Sequence, residues 1–251
     1  HVYDTGTGRL KVTLGQEASN GQTGDAVGPL MERHTCAAWA CAPRKKKKSA
    51  SWSTVLAVGT AAGDVKAFDA QLGQLKWRAK GCIEGGVFAL AHCPQHPGLL
   101  YASGASGQLV SLSMETGEVQ DSFQASKHAL TCLALSPDAR HAYGGGATLG
   151  LWQLDGQQRV AKYTGHEGPA HVAVFAPGGA IAASASASDR HIALWSTAAA
   201  AEDQPHANGA SPASVGGSAK KLKSKGVKGL QPALASVSMD QAVRSLDTCA
   251  V

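Results

Sequence analysis

The sequence predicts an all-β fold built from repeated four-stranded antiparallel units, and three observations carry that prediction. Short runs of strand length, alternating or wholly apolar, recur between turn residues along most of the chain. No stretch sustains apolar residues at i, i+3, i+4 and i+7, so helices are not expected. The runs also restate one plan at a spacing of about 40 residues.

The plan is clearest at 130–166. Residues 130–135 form a mostly apolar run, and Ser136, Pro137 and Asp138 turn the chain, because Pro presets its own φ and Asp bonds back to its own turn. Runs at 141–144, 149–154 and 159–164 complete a four-stranded meander. The third strand, 149–153, aligns with 65–69 (VKAFD), 109–113 (LVSLS), 192–196 (IALWS) and the opening 1–4 (HVYD). Their anchors Phe68, Leu112, Trp152 and Trp195 lie 44, 40 and 43 residues apart. A period near 40–45 with four strands per unit and W-D-like strand ends is the pattern of a WD-repeat β-propeller. About five four-stranded blades are visible, with the terminal blades incomplete.

In chain order, 1–4 and 9–14 read as the last two strands of a first blade, so the given chain is expected to begin within a blade. Residues 15–29 are a polar, Gly-rich loop. The second blade takes 34–39, a basic insertion, then 55–59, 65–69 and 74–78. The third takes 87–90, 99–103, 108–113 and 119–123. The fifth takes 170–175, 181–184 and 190–196, which closes the propeller region 1–196. From 197 to 229 the composition turns to Ala, Ser, Gly and Lys, too poor in large apolar residues to order itself, and is expected to be a disordered insertion. Region 230–251 returns to the propeller, with 234–239 as the delayed fourth strand of blade five and 243–251 opening the next. Reading 243–247 as a third strand instead would leave no first or second strand before it.

Charge is concentrated. The chain carries a formal +5, with 23 Lys and Arg against 18 Asp and Glu. Arg44, Lys45, Lys46, Lys47 and Lys48 form one run, and Lys220, Lys221, Lys223, Lys225 and Lys228 a second; without these ten, 13 cations face 18 anions. The blades are therefore mildly acidic and two insertions strongly basic. Six cysteines without a paired framework or a C-x-x-C suit a reducing cytosolic or nuclear compartment. No run of 18 apolar residues marks a membrane-spanning helix, and no membrane partner is expected.

Gly165-His166, Asp189 and Trp195 fall where a WD repeat places residues that hydrogen-bond within a blade, with Trp152 as the matching tryptophan of the fourth blade. Ser186 or Ser188 completes the set. We read this as a structural network, since buried polar groups need partners. A Ser-His-Asp hydrolase is disfavoured because no G-x-S-x-G elbow accompanies it. His92, Cys93 and His96, or Cys36 with Cys41, do not match zinc spacings, and 143–146 (YGGG) lacks the Lys and Ser/Thr of a P-loop. No metal, cofactor or small-molecule substrate is expected. The run Arg44 to Lys48 is open to three readings: a solvated loop, a nuclear targeting signal or a contact to RNA phosphate. The cluster Lys220 to Lys228 would act likewise as an arm. Phosphate neutralisation releases counterions, giving sequence-independent, salt-sensitive binding. No aromatic residue interleaves with either run, so base stacking of the single-strand type is not indicated.

The run 35–40 (TCAAWA), the basic interruption, 56–65 (LAVGTAAGDV) and the turn 73–75 (GQL) resemble the second blade of the U-three-protein-five family, called WD-repeat protein forty-three in animals. Residues 151–152 and 162–166 (KYTGH), 189–195 (DRHIALW), and 236–239 with 243–248 are similar to that family as well. The resemblance implies a non-enzymatic scaffold subunit of the UTP-A (t-UTP) subcomplex of the small-subunit processome, in the nucleus and nucleolus. Its implied partners are other UTP-A WD-propeller subunits, the 5′ external transcribed spacer of pre-ribosomal RNA and U-three snoRNP components. The alternative is a WD-repeat peptide receptor, either a ubiquitin-ligase substrate receptor or a histone-binding adaptor. That function would need aromatic and charged residues converging on one rim, and aromatics make up only 5% of the chain. Fold alone does not choose between them.

Overall fold

The computed structural model describes residues 1–14, 33–44, 51–93, 95–197, 230–231 and 233–238. The described residues contain β-strands and turns and no helix. The loop 15–29, the lysines from Lys45 to Lys48 and from Lys220 to Lys228, and the expected strand 243–251 lie outside them.

A short antiparallel hairpin, β1 (Val2–Tyr3) with β2 (Leu10–Val12), opens the chain. Blade two follows as β3 (His34–Arg44), β4 (Ser51–Thr60), β5 (Val65–Asp69) and β6 (Leu75–Ala79). Blade three is β7 (Val87–His92), β8 (Leu99–Gly104), β9 (Gln108–Ser113) and β10 (Val119–Gln124). Blade four is β11 (Cys132–Leu135), β12 (His141–Gly145), β13 (Leu149–Gln153) and β14 (Gln158–Tyr163). Blade five is β15 (Ala170–Phe175), β16 (Ile181–Ser186) and β17 (His191–Ser196), completed by β19 (Ala235–Ser238), which pairs antiparallel with β17. Within each blade every strand pairs antiparallel with the next, as short turns allow. The fold is thus all-β and of the WD-repeat propeller type.

Two features depart from the sequence reading. β3 and β4 run to 11 and 10 residues, well past 34–39 and 55–59, because alternation continues through the stretch: Ala40 and Ala42 turn inward while Trp39, Cys41 and Pro43 share the other face. A two-residue strand, β18 (Leu230–Gln231), also adds in parallel to the outer edge of β14 as a fifth strand of blade four.

The first strands β3, β7, β11 and β15 pack in succession, so the blades follow one another in chain order. The third-strand anchors face the preceding blade. Leu112 joins the cluster of Val55, Ala57, Trp77, Val87 and Leu100 between blades two and three. Trp195 joins Tyr143, Tyr163 and Phe175 between blades four and five. Tyr163 lies 5.3 Å from Trp195 and 5.6 Å from Tyr143, ring centre to ring centre, both non-parallel, an arrangement aromatic quadrupoles favour. Glycine lets the sheets come close elsewhere: a Cβ at Gly59 in blade two would lie 2.7 Å from Val87 Cγ1 in blade three.

Candidate functional site

Blade five holds a continuous polar network. His166 stands in the connection between β14 and β15, Ser184 in β16, Asp189 in the turn from β16 to β17, and Trp195 near the end of β17. His166 Nδ1 lies 2.9 Å from Asp189 Oδ2, and His166 Nε2 lies 2.8 Å from Ser184 Oγ. Trp195 Nε1 donates to the same Ser184 oxygen at 2.8 Å. Strand pairing explains the meeting: Ser184 sits opposite Ala193, and Trp195 is two residues further on, hence on the same face. The serine therefore comes from Ser184, not from Ser186 or Ser188, since Ser186 Oγ accepts the Ser188 amide instead.

Asp189 also accepts the amides of Glu167 (3.0 Å) and His191 (3.3 Å). Burial pushes its pKa up, but the hydrogen bonds from His166 and these two amides outweigh that and hold it below the ordinary carboxylate value. As a carboxylate it accepts a hydrogen bond from Nδ1–H; Nε2 then accepts from Ser184 O–H, and Ser184 Oγ accepts from Trp195 Nε1. Every member is satisfied. The residue types are those of a hydrolytic triad, yet Ser184 is 0% exposed and its oxygen is occupied by the indole. That geometry ties strands together and leaves no approach to a carbonyl carbon.

Trp152 does not join an equivalent network. It sits opposite Ala142, as Trp195 sits opposite Ala182, but the position matching Ser184 is Gly144. A Cβ there would lie 2.2 Å from the Cys132 carbonyl oxygen, so no serine fits. Trp152 instead donates to the Ala125 carbonyl at 3.2 Å. Blade two fills the same turn with Asp64, which takes Arg78 Nε at 2.8 Å and the Gly81 amide at 2.7 Å. Burial raises the Asp64 pKa, but the Gly81 amide and the Arg78 guanidinium bring it below the usual value.

Cys36 and Cys41 lie on opposite faces of β3, since Cys36 packs with Ala38, Ala40 and Ala42 and Cys41 has the opposite parity. The Cys41 amide points to His92 Nε2 at 3.5 Å. Among the described residues no cluster of three His, Cys, Asp or Glu could hold a metal. In the stretch 143–146 the Gly145 carbonyl takes the Thr131 amide and the Gly146 amide bonds the Thr148 carbonyl.

Arg44 is the last residue of β3, paired in register with Ser51. β5 reaches only as far as Val55, opposite Asp69, so the end of the β3–β4 hairpin projects beyond the sheet as a two-stranded ribbon. The other nine basic residues of the two runs lie outside the described residues. The ribbon also carries Trp52, opposite Pro43, and Trp39 lies on the same face further back in the sheet, opposite Leu56; both are about half exposed.

Residues 157–196, which run from β14 through β17, match the profile of the WD domain, G-beta repeat. That stretch contains the whole His166–Ser184–Asp189–Trp195 network. The chain is also 28% identical over 157 residues to human WD repeat-containing protein 43, a match covering 56% of this chain and 23% of that protein. The chain thus matches under a quarter of that relative's length. Sheet order, polar network and profile agree that residues 157–196 form a WD repeat, set in an array of such four-stranded units.

Proposed function

We propose that the chain is a non-enzymatic scaffold of the nucleolar small-subunit processome, within the UTP-A subcomplex, supporting pre-ribosomal RNA processing and small-subunit assembly. Blade faces and edges dock neighbouring propeller subunits, and the lysine runs meet RNA phosphate. The likeness of 35–40 and 56–65 to the U-three-protein-five family supports the assembly, as does the similarity to human WD repeat-containing protein 43. One observation supports the mechanism: the β3–β4 hairpin outruns its own sheet, and Arg44, the first residue of the basic run, stands at the end of β3. A solvated surface charge needs no such extension, whereas a contact made outside the propeller does.

A tagged pull-down of the protein from nucleolar extract at low and high salt tests this. Propeller subunits of the processome should persist at high salt while spacer RNA thins, because phosphate contacts weaken as counterions compete. Recovery of cullin-type ligase subunits or histones without ribosomal precursor would replace this reading with the peptide-receptor one.

A further inference from the structure

Blades three and four leave a groove between them that neither the polar network nor the basic run touches, and strand register builds its walls. Tyr101 on β8 lies opposite Ser111 on β9, and Ser111 lies opposite Asp121 on β10. Phe123 follows two residues after Asp121, opposite Leu109, so all five share one face of blade three. That face looks towards blade four, because Leu109 clusters with Leu133, Ala142 and Leu154. The turn from β13 to β14 closes the far side with Leu154 and Asp155. The cavity measures about 450 Å³, within the range of ligand pockets, roughly 300–1,000 Å³. Its floor is apolar: Leu109 and Leu154 are buried, and Tyr101 and Phe123 pack half-buried against them. Gln157 Nε2 donates to Asp121 Oδ2 at 2.6 Å and fastens the rim of blade four to that of blade three.

Polar groups are left over at the mouth. Asp121 and Asp155 are both exposed, and among the described residues neither has a Lys or Arg partner. The Tyr101 hydroxyl and the Asp155 carboxylate make no hydrogen bond among those residues either. Burial of the ring, with the carboxylates of Asp155 and Asp121 near it, raises the Tyr101 hydroxyl above its ordinary pKa, so it stays an O–H.

We propose that this groove takes an arginine side chain from a partner protein, its aliphatic stem against Leu109, Phe123 and Leu154 and its guanidinium at the mouth among Asp121, Asp155 and Tyr101. The proposal rests on the subunit-docking part of the function proposed above and names the chemistry of one docking residue. Charge selects the occupant. Two carboxylates without a cation repel phosphate, so this groove belongs to a protein partner and not to RNA. A wholly apolar side chain would fill the floor but would press against the carboxylates and desolvate them without a partner. Arginine meets both needs. Its planar group carries five donors, enough for the two carboxylates and the phenol oxygen, and it stacks on aromatic rings where the lysine ammonium is a strongly hydrated point charge.

The test titrates the 251-residue chain with N-acetyl-arginine amide and with N-acetyl-citrulline amide, its uncharged isostere, and follows the aromatic ring signals by NMR. Arginine should shift the Tyr101 and Phe123 rings, and citrulline should not. Asp155→Asn, an isosteric change at an exposed residue, should weaken arginine binding about tenfold, the loss of one hydrogen bond between charged groups. Circular dichroism confirms that the variant keeps its fold. Citrulline that binds as well as arginine, or arginine that shifts other residues instead, overturns the proposal. If replacing Lys220, Lys221, Lys223, Lys225 and Lys228 by Ala tightens arginine binding, the chain's own basic run fills the groove and the partner reading falls. In the salt-series pull-down, Asp155→Arg should lose at least one propeller subunit that wild type retains. If both recover the same subunits in equal yield, the groove proposal falls and the scaffold reading stands. If wild type recovers none, the scaffold reading falls, while the titration decides the groove by itself.

Discussion

Trp195 and Ser184 meet across two strands, the indole N–H 2.8 Å from the hydroxyl oxygen, and that oxygen also holds His166. One hydroxyl thus satisfies two buried nitrogens. Ser184→Ala should strand both, each an unmet buried group worth about 1–3 kcal/mol, for a total of about 2–6 kcal/mol. Ser186→Ala removes only an acceptor for the Ser188 amide and should cost about 1 kcal/mol or less. Urea unfolding of the two variants decides between them. Equal losses would mean that Ser184 is not the centre of the network.

Blade four cannot be given the same centre by substitution. Gly144 occupies the matching place, where a Cβ would press on the Cys132 carbonyl at 2.2 Å. Gly144→Ser should therefore destabilise by about 1–3 kcal/mol, as overpacking does, with no gain from Trp152. A rise in melting temperature would show that the strands separate to admit a network.

How much of this is legible in the sequence depends on what each residue needs to be recognised. His166, Asp189 and Trp195 are visible because G-H, a turn aspartate and a third-strand tryptophan have fixed spacings. Ser184 is not, because 181–186 (IAASAS) offers two serines of equal parity, and only the pairing of Ser184 with Ala193 chooses between them. Trp152 reads like Trp195 by its own strand, but its partner is decided by Gly144 on the neighbouring one. The ribbon is hidden for a related reason. The basic run interrupts the alternation, so Trp52 is distant from Pro43 in sequence and adjacent to it only once the hairpin closes.

Acid should loosen blades two and five, and also blade four, where burial raises the Asp138 carboxyl but hydrogen bonds from Ser136 and the Arg140 amide hold it below its ordinary value. Asp64 and Asp189 both have folded pKa values below the ordinary one, so the unfolded state binds protons more readily than the native state. Their contribution is complete above the unfolded carboxylate value near 4 and is lost as pH falls through the lower folded values. Stability measured from pH 7 down to pH 2 should drop below about pH 4 in the wild type. Asp189→Asn should be less stable at pH 7 and show a shallower fall. Parallel curves would mean that the carboxylate charge is not what the network uses.

Cys132 should be inert in the folded protein. It is buried, its S–H donates to the Gly145 carbonyl, and burial pushes its thiol up to about 12. At pH 8 the thiolate is then about one part in ten thousand, and only the thiolate reacts. Iodoacetamide at pH 8, mapped by mass spectrometry, should leave Cys132 unmodified until denaturant is added. Labelling at native-state rates would require blade four to open locally on the timescale of the reaction.

Gly63 closes the turn between β4 and β5, and nothing larger fits there. Its φ is +89°, in the left-handed region, and a Cβ would lie 1.9 Å from the Ile83 carbonyl oxygen. The Gly63 carbonyl meanwhile receives the Ile83 amide at 3.2 Å, so the turn is fastened to the segment leading into blade three. Gly63→Ala adds backbone strain to a steric clash, each costing about 1–3 kcal/mol, and either the turn or residue 83 must move. Asp64 is the next residue, so a displaced turn also draws its carboxylate away from Arg78 and the Gly81 amide. The variant should lose about 2–6 kcal/mol in urea unfolding. It should also lose much of the acid-sensitive part assigned to Asp64. If stability falls while the acid transition is unchanged, the turn and the Asp64–Arg78 link are independent, and the clash alone accounts for the loss.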